Sequence, residues 1–258
     1  MKHAVHAEWT KARTLTSTAW LVAGVVALTV AISVLVSLST KCGTASCGDD
    51  PAKVSLTGSY LGQAVVAVLA VMAISDEYGT GMIHLTFTAM PRRAAVLAAK
   101  ATVVCGQVLA ASVVAVLASV LIGHQVLPGN GFTAAHGYAS LSLTAGPMLR
   151  AAFGTVLYLG LVGLLSLGVA TMVRDSAVSI GAVLGLLFLF PIVAHFVSNP
   201  TWQRHLEQIG PSTAGLAIQD TVNLAGQPIG PWAGLGVLAA WTAGALLLAA
   251  LLLSRRDA

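Results

Sequence analysis

Charge is what this chain has least of. Only 9% of its 258 residues are Asp, Glu, Lys or Arg, roughly a third of the share in an average soluble domain. Hydrophobic residues make up 57%, and the mean hydropathy is +0.86. That balance excludes a water-soluble globule. Chemistry-bearing motifs are missing as well. There is no GxxxxGK[ST] phosphate loop, so ATP is not bound and hydrolysed here by that device. The seven histidines show no HExxH or other metal-ligand spacing. The stretch 163–168, GLLSLG, resembles a serine nucleophile elbow but has one residue too many before the serine, and no histidine stands within the membrane as its base. The basic residues lie in short flanks without interleaved aromatics, which argues against nucleic acid despite a pI of about 9.2.

What is present is six long apolar runs, at 20–38, 58–75, 101–122, 151–173, 178–197 and 230–253. About 20 apolar residues cross about 30 Å of hydrocarbon. Lipid offers backbone amides no partners, so each run is expected to be helical and the fold to be an all-α polytopic membrane protein. Away from their ends these runs contain no Asp, Glu, Lys or Arg, which argues against a proton or ion relay. Gln63 and Gln107 are the main interior polar side chains, and His195 lies near the end of the fifth run. Helix-to-helix hydrogen bonds are the plain reading of these three, with substrate contact as the alternative.

The charged flanks set an orientation. With both termini in the cytoplasm, Lys2, Lys11, Arg13, Arg92, Arg93, Lys100, Arg174, Arg255 and Arg256 are inside, and Lys41, Lys53, Arg150 and Arg204 are outside. Nine against four follows the positive-inside bias. The first run starts too late and has no small-residue cleavage site after it, so it is read as an anchor rather than a signal peptide. Cys42 and Cys47 share the first exterior loop, where an oxidising environment allows them to pair; two free thiols are the alternative. Cys105 lies within the third run and is read as packing.

The connections differ in character. Residues 1–19 carry an apolar stripe of Val5, Trp9, Ala12 and Thr16, as expected of a helix lying in the interface. Glu8 and Lys11 are spaced for a weak pair along it. The loop 76–100 combines Asp76, Glu77, Tyr78, Gly79, Thr80, Gly81, Met82 and Ile83 with Pro91, Arg92 and Arg93. Its pattern predicts a short cytoplasmic helix over about 80–89, with apolar residues that need a pocket on a partner or against the foot of the bundle. The loop 123–149 is expected to be irregular, with Arg150 reaching for the outer interface. Arg174-Asp175-Ser176 is a tight cytoplasmic turn. Residues 198–229 are broken by Gly210-Pro211, and their apolar residues fit two short helices in the outer leaflet. Gly181 and Gly185 match the small-xxx-small spacing of close helix pairs, a pattern frequent by chance with 26 glycines.

Several of these segments resemble one family. The opening 6–14, HAEWTKART, is similar to the N-terminal interfacial helix of bacterial type-2 ABC transporter permeases. The residues 77–83, EYGTGMI, with 91–93, PRR, and 97–100, LAAK, resemble the loop that joins spans two and three in those permeases. The segment 211–220 and the terminal RRD at 255–257 are also similar. The resemblance implies one permease domain over 1–258 in the bacterial plasma membrane, acting as a homodimer or paired with a second permease. ATP and Mg would sit on a separate cytoplasmic ABC ATPase, and no cofactor would sit on this chain. The coupling role would fall to Asp76 through Arg93, led by Glu77, Tyr78 and Met82, with Arg174 and Asp175 as a second contact. His84 and Leu85 stand where the family usually has a more basic loop. The expected function is ATP-driven export of a hydrophobic or amphipathic substrate. A non-transporting anchor or immunity protein, and an ion-coupled carrier, are the competing readings.

Overall fold

The computed structural model describes residues 2–42, 48–79, 93–133 and 146–255. Among these residues every regular element is helical. In chain order they are α1 (Lys2–Thr14), α2 (Thr16–Ser39), α3 (Pro51–Leu56), α4 (Ser59–Gly79), α5 (Arg93–Val126), α6 (Gly146–Val173), α7 (Ser176–Phe196), α8 (Pro200–Ile209), α9 (Pro211–Leu216) and α10 (Pro231–Arg255), with short 3-10 turns at Leu127–Asn130, Ala217–Gln219 and Leu224–Gly226. Six stretches are long and apolar enough to cross a membrane: α2, α3 with α4, α5 with its 3-10 extension, α6, α7 and α10. The protein is an all-α polytopic membrane protein. Six alternating crossings bring the start of α2 and the end of α10 to one face, called here the terminal face. The end of α4 and the start of α5 lie at that face too.

The helices start where the chain supplies partners for their first amides. Asp50 accepts from Ala52 N at 3.0 Å, Asp175 from Val178 N at 2.8 Å, and Asn199 from Thr201 N at 3.0 Å. Proline opens α3, α8, α9 and α10, where its missing N–H is no loss. α4 and α6 form the centre, with 61% of the apolar window of α6 buried against 22% for α2 and for α7. Val66, Ala70, Val108, Tyr158, Leu159, Val162 and Leu238 meet in the core between α4, α5, α6 and α10. Contact is closest at glycine. A Cβ on Gly58 would fall 1.8 Å from Thr29 O, and one on Gly62 2.2 Å from Thr29 Oγ1, so α2 crosses at the start of α4, against Gly58 in the turn before it and Gly62 within it. Among the described residues, Gly181 and Gly185 have nothing within 4 Å. Their spacing marks an open face of α7 there, not a helix crossing.

Opposite the terminal face, α8 and α9 form a hairpin in which α9 is buried in the bundle while no residue of α8 is. Trp241 Nε1 donates to Ile209 O at 3.0 Å at the end of α8. Trp241 lies ten residues after Pro231, about 15 Å along its helix, so the Gly210-Pro211 break sits near mid-depth. There Pro191 in α7 leaves the carbonyl of Leu187 without its usual donor, and the hydroxyl of Ser212 donates to it. Gly215 lies against the ring of Tyr158, Gly234 against Ala214 O and Gly154 against Ile218, each too close for a Cβ without movement. The returning chain is pinned by polar groups. Gln219 Nε2 donates to Ser59 Oγ (2.8 Å) and Thr155 Oγ1 (3.1 Å), and Lys53 Nζ pairs with Asp220 Oδ1 at 2.5 Å. Asp50 accepts from Thr221 N, Thr221 Oγ1 and Val222 N. Burial pushes the carboxyl of Asp220 above the usual carboxylate range, partly offset by Lys53. Arg150, expected to reach outward from its helix end, instead donates to Asp220 O within this network.

Candidate functional site at the terminal face

The terminal ends of the helices run past the limits that hydropathy sets. α4 continues through Asp76, Glu77, Tyr78 and Gly79, and α5 begins at Arg93. Residues 76–79 and 93–100, read from sequence as loop, are therefore helical. The reason is a buried ion cluster. Lys100 is 1% exposed and Glu77 4%. Lys100 Nζ donates to Glu8 Oε2 at 2.8 Å and to Ala73 O at 3.3 Å, and forms an ion pair with Glu77 Oε1 at 2.8 Å. Lys11 Nζ reaches the same Glu77 oxygen and lies 3.9 Å from Glu8 Oε1. Two acids and two bases from α1, α4 and α5 thus neutralise one another where hydrocarbon gives way to the interface. Removing a partner from such a set is costly because it strands a buried charge. The pairs fasten α1 to the base of the two helices that flank loop 80–92.

A second contact joins the other terminal-face connection. The Arg174 guanidinium lies 5.5 Å from the centre of the Tyr78 ring, a cation–π distance. Arg174 has φ 64° and its N–H donates to Ala170 O at 2.9 Å, a left-handed helix end in a residue other than glycine. Asp175 then caps α7, and Ser179 Oγ donates to Asp175 O. The turn holds α6 and α7 in antiparallel register and presents arginine to the end of α4.

Of the residues singled out from sequence, the fold brings together Tyr78 and Arg174 directly. Glu77 lies beside Tyr78 but points into the ion cluster, and Asp76 is exposed. Gly79 ends α4 and Arg93 opens α5. Thr80, Gly81, Met82, Ile83 and Arg92, and the expected helix over 80–89, lie outside the described residues. Glu8 and Lys11 meet as their spacing anticipates. Their connections to Glu77 and Lys100 have no local sequence signal, being separated by 66 and 92 residues.

Elsewhere, Gln63 takes a hydrogen bond from Tyr158 OH between α4 and α6, both side chains being fully buried. Gln107 lines a crevice beside the ion cluster. Cys42 is disulfide-bonded; Cys47, the partner expected from sequence, lies outside the described residues, and Cys105 is free. Among the described residues no three His, Cys, Asp or Glu side chains gather as metal ligands. Neither the models of known protein families nor the curated proteins contain a match to this chain.

Proposed function

We propose that this chain is the membrane subunit of an ABC exporter, moving a hydrophobic or amphipathic substrate outward by alternating access while a separate ATPase supplies the energy. The observation that carries the reading is the convergence at the terminal face. The two helices flanking loop 80–92 are fastened to α1 through Glu77 and Lys100, and Tyr78 meets the Arg174 turn between α6 and α7. A push delivered on that loop would reach α1, α4, α5, α6 and α7 together, as a rigid-body mechanism requires. In this reading the terminal face is cytoplasmic. Tyr78, Arg174 and loop 80–92 present the docking surface, and Glu77 acts within the chain to anchor the helix that carries the loop.

The far end supports the same reading. α9 is buried in the bundle on the side away from the loop, held by Ser212 on the Leu187 carbonyl. The weakly buried faces of α2, α7 and α10 leave room for a second permease copy. The test is co-purification with a candidate phosphate-loop ATPase expressed together with this chain. Deleting 80–92, or replacing Arg174 with Glu, should reduce recovery of the ATPase at least tenfold. Undiminished recovery from both variants would count against the docking role. A stable complex that shows no ATP-dependent flux would favour the anchor or immunity reading.

A further inference from the structure

α1 meets the bundle with its charged side. Ala4, Glu8 and Lys11 follow one another at helical spacing on the inner face, where Ala4 is 3% exposed and the side chain of Glu8 11%. Glu8 is the only acid of this helix, and Lys100 and Lys11 hold it inward. Asp76 and Glu77 lie on that same inner side, bordering the crevice with Ala12. His6, Trp9 and Arg13, three and four residues apart, share a different stripe, and all three are exposed. Among the described residues Arg13 takes part in no ion pair, and the Trp9 indole N–H meets no acceptor. Trp9 and Trp20 are 49% and 79% exposed, the placement of aromatic residues at a membrane boundary. The outward stripe thus lies at headgroup level with a base and no acid.

From this arrangement we infer that the stripe of His6, Trp9 and Arg13 on α1 binds the headgroups of anionic phospholipids in the leaflet at the terminal face. An exposed indole at the boundary sets its ring against the acyl chains and leaves its N–H for headgroup oxygens. Arg13 stands one turn further on. Its stem lies along the apolar side while its guanidinium, a planar fork of donors, matches a phosphate. The net charge of the lipid decides which headgroup gains most. A choline or ethanolamine headgroup neutralises its own phosphate, whereas a glycerol headgroup leaves the phosphate charge for Arg13. The inward turn of Glu8 is what makes the stripe basic, since an outward carboxylate would cancel Arg13. Because the contact is exposed, salt screens it, and one base near an anionic surface favours the charged lipid by about fivefold.

The test uses the purified full-length chain in neutral detergent with equal amounts of phosphatidylglycerol and phosphatidylcholine of identical acyl chains, the bound lipid being counted by native mass spectrometry. Neither an ATPase nor flux enters it, so it stands or fails apart from the permease reading. Phosphatidylglycerol should be retained about fivefold over phosphatidylcholine. Arg13→Gln should bring the ratio to within about twofold, and Arg13→Glu should favour phosphatidylcholine. Arg255→Gln removes an exposed base from the end of α10 on the same face and should leave the preference in place. Equal retention by the unaltered chain, or a preference that survives both Arg13 variants, would overturn the proposal. So would a loss with Arg255→Gln as large as with Arg13→Gln, which would mean that anionic lipid gathers on the whole basic face and not on α1. Arg13 is exposed and makes no ion pair, so its variants should fold; should one fail, the comparison of lipids on the unaltered chain and on Arg255→Gln still decides.

Discussion

Replacing Lys100 with Met should destabilise the protein far more than an ordinary substitution near a membrane surface. Lys100 is 1% exposed and balances Glu77, which is 4% exposed. Without it, Glu77 retains only Lys11, whose side chain is 36% exposed and screened by solvent. Removing one member of a buried pair costs about 3–5 kcal/mol, and the remaining Lys11 contact offsets part of this, leaving about 2–3 kcal/mol. Met nearly preserves the volume, so little of the loss comes from a cavity. The triple replacement Lys100→Met, Glu8→Gln, Glu77→Gln removes the three most buried charges together and leaves only Lys11, whose side chain is 36% exposed. It should recover most of the loss, since a buried ion set exchanged for neutral groups is often close to neutral. Unfolding of the purified protein in mixed micelles, titrated with a denaturing detergent, measures both. A single-variant cost below about 0.5 kcal/mol, the scale of an unremarkable surface change, would refute the buried pairing. So would a triple variant less stable than the single one.

Further predictions concern the packing of the spans. Gly58→Ala would put a Cβ 1.8 Å from Thr29 O and should cost about 1–3 kcal/mol by forcing α2 away from α4, whereas Gly181→Ala, with nothing within 4 Å among the described residues, should leave the melting temperature unchanged. Ser212→Ala strands the Leu187 carbonyl that Pro191 leaves without a donor, at about 1–3 kcal/mol; a change below half a kcal/mol in the same titration would show that the carbonyl finds another partner. Asp50→Ala removes the cap of α3 and the bonds to Thr221 and Val222. It should therefore expose the segment around 221–229 to limited proteolysis, while an unchanged digestion pattern would contradict the pinning role.

The six spans are legible in the sequence because lipid imposes length and composition on each one separately, with no need of a partner. Their ends are not. Hydropathy stops near Ser75 and resumes near Ala101, yet α4 and α5 continue through charged residues because Glu77 and Lys100 neutralise each other. That pairing is set by tertiary packing across distant positions. Gln63 is conspicuous as an amide in an apolar run, but nothing in the sequence points to Tyr158. Glycine spacing misleads for a similar reason. Gly58 and Gly62 repeat the interval of Gly181 and Gly185, and only the packing distinguishes the tight crossing from the open face. The hairpin is marked by Gly210-Pro211, while its depth follows from Trp241 and Ser212, whose partners are remote.

The most direct test of the central claim is transport itself. Inside-out vesicles containing this chain and its candidate ATPase should accumulate an amphipathic probe when ATP is supplied. Accumulation should vanish if the ATPase phosphate loop is inactivated and should persist when ion gradients are collapsed. An intact complex that hydrolyses ATP across a broad set of probes with no accumulation, or accumulation that follows an ion gradient instead, would contradict the account.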